Sequence, residues 1–415
     1  MGYAFTRDDV AYLGSAAGLA ALAATDRLEL TPKSLLKDLE QLRRAFGDRA
    51  AALVETVRLR RRAVAKLDGA GEWLFTDDAL QQATPSAVAR HRAKRLAGRT
   101  VHDVTCSVGA ELIELARVCP AVIGSDLDEV RLDIAAHNLR ATLEQVAVQD
   151  DSPADGIFAL GASATVVGRV RNVLLAKADA LEPCSTAEVV IADPARRADG
   201  RRTHDPAKLQ PPLPDLLNAY AGRDLAVKCA PGLDFDRLEW DGEIEVVSLD
   251  GAVREACLWS SGLAEEGVTR RATVLSSTGP GWSMTDADPD DIPEREPGEW
   301  IVDPDGAVVR AGLVRHYAAK HGLWQLDPRI AYLTGDTVPE GVRGFRILHR
   351  MDFKEKPLRA ELHRRGCGPL EILTRGVDID PDALRKTLKP RGSQPHTLVI
   401  TRIGRTPTVF LCATP

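Results

Sequence analysis

Four carboxylates stand where this chain could do chemistry, each closing a short apolar run. Asp103 ends VHD, Asp126 ends AVIGSD, Asp179 follows VLLAKA and Asp193 follows VVIA. Runs of that kind read as buried strands, so the carboxylates are expected at strand ends on the ligand-bearing edge of a sheet. A carboxylate at the position of Asp126 can accept hydrogen bonds from both hydroxyls of a ribose. One at Asp179 can accept from an adenine amino group, although a plain turn-forming role serves equally well. Asp193 precedes Pro194, whose restricted φ sets the direction of the turn. There the carboxylate can orient an amino or ring nitrogen and take its proton. Between Asp103 and a helix opening near Ala110, the turn contains Thr105, Cys106, Ser107 and Gly109. Its small side chains let backbone N–H groups approach a ligand. It lacks the G-x-G-x-x-G spacing, which argues against a nicotinamide dinucleotide. Asp128 has the placement of a helix cap.

Arg196, Arg197, Arg201 and Arg202 follow Asp193 closely and suggest either an anionic group on the substrate or a structural role bridging acidic helices. Lys228 ends another apolar run and is a candidate substrate contact. Cys106 is expected to be a packing residue. His204 and Asp205 read as either a base or loop residues. His316 and His321 have no acidic pair beside them to complete a metal site, so no metal is expected.

The elements that must position these residues begin at Val101. Strands at 101–104, 121–125, 173–176, 189–192 and 225–229 alternate with helices at 110–118, 129–139 and 213–220. That alternation predicts a doubly wound parallel sheet. Strands at 244–249, 255–260 and 272–275 follow without helices, so one edge should be antiparallel. The stretch between Leu139 and Asn172 is a lid or an added hairpin. Residues 1–97 read as helical, with a basic helix at 87–96 whose Arg90, Arg92, Lys94 and Arg95 are either phosphate contacts or a solvated face. Residues 279–298, rich in Pro, Gly and acids, read as a linker. Beyond them come a helix at 306–320 and a small α+β unit after Gly341 that closes with a hairpin around Gly404.

Charge divides the same way. Residues 1–97 carry 16 basic and 12 acidic side chains, residues 98–309 carry 19 and 38, and residues 310–415 carry 19 and 10. The basic ends are compatible with a phosphate-bearing partner. Hydrophobic residues at 44 % exclude wholesale disorder, and aromatics at 5 % exclude an extended base-stacking platform. No apolar run is long enough to span a bilayer, and the Ala-rich N-terminus lacks the basic flank of a signal peptide. Seven scattered cysteines without a CxxC pair point to a reducing, cytoplasmic setting.

In order along the chain, DVTCSVGAE, SDLDEVRLDIAAHN, AKADAL and ADPARR resemble motifs I, II, the adenine-contacting segment and motif IV of class I S-adenosylmethionine-dependent methyltransferases. Thr105 and Ser107 stand where many members have glycine. Ala195 and Arg196 replace the second proline and the aromatic residue of the base-amino enzymes. GLWQLDPRIAYLTGD and GCGPLEILTRGVDIDPDALRKTL are similar to uncharacterised methyltransferases with a C-terminal THUMP-like domain. The resemblance implies a Rossmann-like methyltransferase domain over 98–278, after a helical region at 1–97. A connector at 279–340 and a THUMP-like α+β domain at 341–415 complete it. It implies S-adenosyl-L-methionine held by Asp103, Thr105, Ser107, Gly109, Asp126 and Asp179. Asp193 and Pro194 would form the catalytic turn, and Arg196, Arg197 and Lys228 would meet the substrate. THUMP domains proper bind RNA, so the family implies transfer to an RNA base. Lys354, Lys356, Arg359, Arg364, Arg365, Arg375, Arg385, Lys386, Lys389 and Arg391 would supply the basic face. A small-molecule methyltransferase, or a nucleic-acid-binding module without catalysis, are the alternatives.

Overall fold

A computed structural model describes residues 2–143, 160–195, 197–198, 201–202 and 205–414. The chain forms two compact units, Met1–Glu243 with Glu255–Ala264, and Ile244–Arg254 with Glu265–Pro415.

The first unit opens with six helices: α1 (Arg7–Leu13), α2 (Ala16–Asp26), α3 (Leu35–Phe46), α4 (Ala50–Ala63), α5 (Asp77–Gln82) and α6 (Ser86–Arg95). Within the region predicted to be helical over 1–97, α3 and α4 are separated at Gly47, which takes φ +57°. Next come β1 (Val101–Asp103), α7 (Ala110–Ala116), β2 (Val122–Asp126), α8 (Glu129–Leu143), β3 (Thr165–Val170), β4 (Val173–Lys177) and β5 (Val189–Ala192). A ribbon of β6 (Arg197–Ala198) and β7 (Arg201–Arg202) precedes α9 (Leu213–Ala219) and β8 (Asp224–Cys229). Strands β8, β5, β1, β2 and β4 lie side by side, every neighbouring pair parallel. This is the predicted parallel core. It forms because Val101, Val122, Ile123, Val173, Val189 and Ile191 are shielded on both sheet faces. Strand β3 pairs antiparallel with β4, so the C-terminal part of the 139–172 stretch is an added hairpin. Residues 144–159 lie outside the described residues.

Strand β9 (Glu243–Leu249) is followed by β10 (Ala252–Trp259), whose Ala256–Trp259 end pairs antiparallel with β8, as expected for that edge. In the second unit β11 (Arg270–Leu275) pairs parallel with β9 and antiparallel with β12 (Trp282–Thr285). The predicted linker at 279–298 therefore contains a strand. Met284, 2 % exposed, supplies the buried contact that overrides the Pro- and Gly-rich composition around it. The predicted helix at 306–320 is two helices, α10 (Gly306–Ala311) and α11 (Val314–His321), because Gly312 adopts φ +80° and its N–H closes the first. A seven-stranded sheet follows. Its strands are β13 (Trp300–Val302), β14 (Trp324–Asp327), β15 (Ile330–Gly335), β16 (Gly344–Asp352), β17 (Cys367–Arg375), β18 (Gln394–Ile403) and β19 (Thr406–Ala413). Their order is β14-β15-β13-β16-β19-β18-β17. Helices α12 (Glu355–Arg364) and α13 (Pro381–Leu388) bury Leu358, Leu362, Leu384 and Leu388 against Leu370, Ile372 and Leu398 of this sheet. Among the described residues no helix is long and apolar enough to cross a membrane.

Candidate active site

The turn after β1 is locked by its own backbone. Thr105 donates its N–H to Asp103 Oδ1 at 3.0 Å. The Cys106 N–H reaches Ser125 O on β2 at 2.9 Å. Ser107 takes φ +49° and Gly109 takes φ +80°. Gly109 also packs closely on α8, since a Cβ there would lie 3.1 Å from Ala135 Cβ. Glycine is therefore required twice over at this position.

That geometry aims the Ser107 N–H at Asp126 Oδ2, 3.1 Å away, while Asp126 Oδ1 accepts from the Asp128 N–H at 2.9 Å. Each oxygen keeps a second lone pair for a ligand. Burial raises the Asp126 carboxyl above its ordinary range, and the backbone donors and Arg131 work against that rise. Asp128 caps α8, accepting from the Val130 N–H at 2.8 Å. Asp179 accepts from the Leu181 N–H at 2.9 Å, so it is a turn residue and also lines the site.

Thr105 Oγ1 accepts the Asp193 N–H at 2.6 Å, which ties the turn after β1 to the turn after β5. The Asp193 carboxylate is paired with the ammonium of Lys228, itself 6 % exposed. Burial works against the Lys228 charge, but Asp193, Glu255 and Glu111 outweigh it and raise its pKa. Pro194 is buried, and Ala195 exchanges backbone hydrogen bonds with Gln210, which returns the chain to the site. Arg196 and His204 lie outside the described residues. Arg197 is described through its backbone, which pairs with Arg202 across the ribbon.

Asp103, Thr105, Ser107, Asp126, Asp179, Asp193 and Lys228 all line one cavity of about 840 Å³. The volume lies within the roughly 300–1,000 Å³ of small-molecule sites. Val104, Val108, Leu127 and Ile191 give it apolar wall between the carboxylates. A nucleoside with a charged tail fits such a lining: apolar surface for a ring, carboxylate lone pairs for hydroxyl and amino groups, and a backbone turn without bulky side chains.

Sequence reasoning missed how much of the wall comes from the N-terminal helices. Gln82, Ala83 and Thr84 line it from the end of α5, and Arg92 reaches it from α6. Three of the four basic residues of that helix are thus held within the fold, and Lys94 is the exposed one. Arg90 pairs with Glu114 and Asp68, Arg95 pairs with Glu243 and lies 4.0 Å over the Trp259 ring, and Arg92 is 2 % exposed. The signal was present: Val88, Ala89, Ala93 and Leu96 set an apolar stripe on which Arg92 falls. Cys106 is buried, and burial pushes its thiol well above the ordinary range, so it is a packing residue and not a nucleophile. Asp205 caps its own turn, accepting from the Ala207 N–H at 3.1 Å. Among the described residues no group of three or more His, Cys, Asp or Glu is arranged to hold a metal ion.

Burial, with Glu111 and Asp193 nearby, pushes the Asp103 carboxyl up to about 7, against the pull of the Thr105 N–H and Lys228. The folded protein therefore binds this proton more tightly than the unfolded chain does. The resulting stability is complete below about pH 4 and is lost as pH rises through about 7. Asp103→Asn should remove that loss. In urea unfolding, the variant is expected to gain on the wild type between about pH 5 and about pH 8. A difference that stays constant over that range would show that Asp103 is ionised throughout.

The profile of the THUMP domain-like family matches residues 342–414, and that of a domain of unknown function matches residues 6–63. A protein of Mycobacterium tuberculosis, named an uncharacterised S-adenosylmethionine-dependent methyltransferase, is 54 % identical over 372 residues, covering 88 % of this chain and 96 % of that protein. The match is the same in strains CDC 1551 and H37Rv. Among solved structures, a candidate methyltransferase from Porphyromonas gingivalis W83 aligns over 99 % of this chain and 100 % of its own, with a TM-score of 0.70 at 18 % identity. That likeness establishes the shared fold. With the cavity between the strand ends and a relative this similar over nearly its full length, the chain belongs to the S-adenosylmethionine-dependent methyltransferases that carry a THUMP-like C-terminal domain.

Proposed function

We propose that this methyltransferase modifies a base of an RNA. The observation that carries the reading is the convergence of Asp103, Asp126, Asp179 and Asp193 on one cavity. S-adenosylmethionine, when bound, supplies a methyl group already activated on a sulfonium, so the protein's task is alignment. Asp126 accepts from the ribose hydroxyls and Asp179 from the adenine amino group. Thr105, Ser107 and Gly109 shape the turn that receives the cofactor, and Asp103 lies at its floor. Asp193, fixed in direction by Pro194, orients the acceptor nitrogen and takes its proton. Lys228 holds that carboxylate in place. Arg196 and Arg197 meet the phosphate next to the target nucleotide.

The match of residues 342–414 to the THUMP domain-like family supports an RNA acceptor. The basic face is narrower than the sequence suggests. Arg364 and Arg365 are held by Glu361, Arg375 by Asp303, Arg385 by Asp382, and Arg359 by Thr387 O. Lys354, Lys356, Lys386, Lys389 and Arg391 are exposed and are the residues assigned to phosphates. All seven cysteines are buried and none is in a disulfide, which suits the reducing cytoplasm.

Incubating the full chain with tritiated S-adenosylmethionine and total cellular RNA, then digesting to nucleosides, should give one labelled nucleoside. Charge-reversing Lys386, Lys389 and Arg391 together should lower labelling by about tenfold or more and flatten its salt dependence. Label absent from RNA but present on a small molecule would replace this reading.

A further inference from the structure

One side of the cavity is lined by charges to which none of the roles above gives a task. Arg92, 2 % exposed, comes from α6, and Glu111, with its side chain 10 % exposed, comes from the first turn of α7. Arg92 Nη1 and Glu111 Oε1 are 3.2 Å apart. The two charges pair, but their orientation makes no hydrogen bond, and among the described residues Arg92 Nε, Arg92 Nη1 and Glu111 Oε1 have no hydrogen-bond partner. Arg92 Nη2 is engaged by Glu255. A buried polar atom left without a hydrogen bond is destabilising. Three together, in the wall of a cavity, mark a place where a ligand supplies the missing partners.

The charges say what kind of ligand. Arg92 and Lys228 face Glu111, Glu255 and Asp193, so a phosphate or carboxylate would be brought beside three carboxylates. Arg92, Glu111, Lys228 and Asp193 all act on one another, and Glu111 and Asp193 also act on Asp103 at the cavity floor, whereas the charged groups acting on Asp126 are Arg131 and Asp128. The unpaired atoms therefore belong to the Asp193 end of the cavity. What fits there is a neutral, planar edge with a hydrogen-bond acceptor next to a donor.

We infer that Arg92 and Glu111 read the base to be methylated. Arg92 donates to a carbonyl oxygen or ring nitrogen of the base, Glu111 accepts from the neighbouring N–H, and the base is held beside Asp193. The inference rests on the RNA reading above and names how that site chooses its base. It also gives the N-terminal helices a part in selection, because α6 delivers the donor. A base unpaired from its duplex presents the edge that such a pair can reach.

The test uses the full chain with S-adenosylhomocysteine bound. Uridine, cytidine, adenosine and guanosine are added in turn, and saturation transfer to their base protons is read by NMR. At least one nucleoside should show transfer to the wild type. That signal should fall about tenfold or more in Glu111→Gln and in Arg92→Met, each of which removes one charged hydrogen bond. Calorimetric affinity for S-adenosylmethionine should stay within about threefold. Glu111→Gln keeps the side-chain shape, so it carries the test alone if Arg92→Met does not fold. No transfer to the wild type, or transfer unchanged in the variants, would overturn the inference. A parallel loss of S-adenosylmethionine affinity would overturn it too, by assigning the pair to the amino-acid end of the cofactor. A wild type that binds a nucleoside through this pair but labels no RNA would overturn the RNA reading, and with it the claim that the pair reads a base to be methylated in RNA.

Discussion

Asp126→Ala is expected to weaken S-adenosylmethionine binding by about 100-fold, since two charge-assisted hydrogen bonds to ribose are together worth about 3 kcal/mol. The structure explains why the loss should be so large for this half-buried residue. Asp126 is held in one orientation by the N–H groups of Ser107 and Asp128, so no ordering cost is paid when a ribose arrives. Burial raises its carboxyl above the ordinary range, which strengthens any donor that reaches it. Isothermal calorimetry on the folded variant gives the answer directly. Asp128→Ala is the matched control: it removes the cap of α8 and costs about 1 kcal/mol of stability, with affinity nearly unchanged. An Asp126→Ala affinity within about threefold of the wild type would move the ribose elsewhere in the cavity.

Asp193→Asn is expected to lower methyl transfer by about 10²–10⁴-fold while S-adenosylmethionine affinity stays near that of the wild type. The residue is also structural, because it neutralises Lys228 in a site where that ammonium is 6 % exposed. Asp193 is itself 33 % exposed, and Glu111 and Glu255 still face Lys228 when Asp193 is neutralised, so the melting temperature should fall only modestly. The two effects separate in a double variant. Asp193→Asn with Lys228→Met removes both charges, so stability should return in large part while transfer stays lost. Rates of tritium incorporation into RNA, measured below the melting transition, read the first effect, and thermal unfolding reads the second. Full activity in the double variant would mean that Asp193 serves packing alone.

The parallel core, the strand-end carboxylates and the order of the motifs were legible along the chain because their signals are local. An apolar run, a following Asp and a small-residue turn lie within about ten residues of one another, and their backbone preferences act at that range. Asp126 and Asp128 show how far such signals reach. Both sit in one turn, and the sequence already separated the carboxylate that lines the cavity from the helix cap. Breaks in helices were harder to see. Gly47 and Gly312 end helices through a left-handed backbone that apolar spacing alone does not reveal. The strand β12 was hidden by its Pro- and Gly-rich flanks, and tertiary pairing with β11 overrode that composition.

What the sequence by itself determined is the chemistry available: four carboxylates at sheet edges, a tight turn for a nucleoside cofactor, and a family whose cofactor follows from those motifs. The tertiary structure alone decided which charges share the Asp193 end of the cavity. Arg92 lies 19 residues before Glu111 and 163 before Glu255, and Asp193 lies 35 before Lys228. No local pattern couples residues so far apart. Burial decides their pairing, because an ion removed from water must find its partner wherever the fold brings one close.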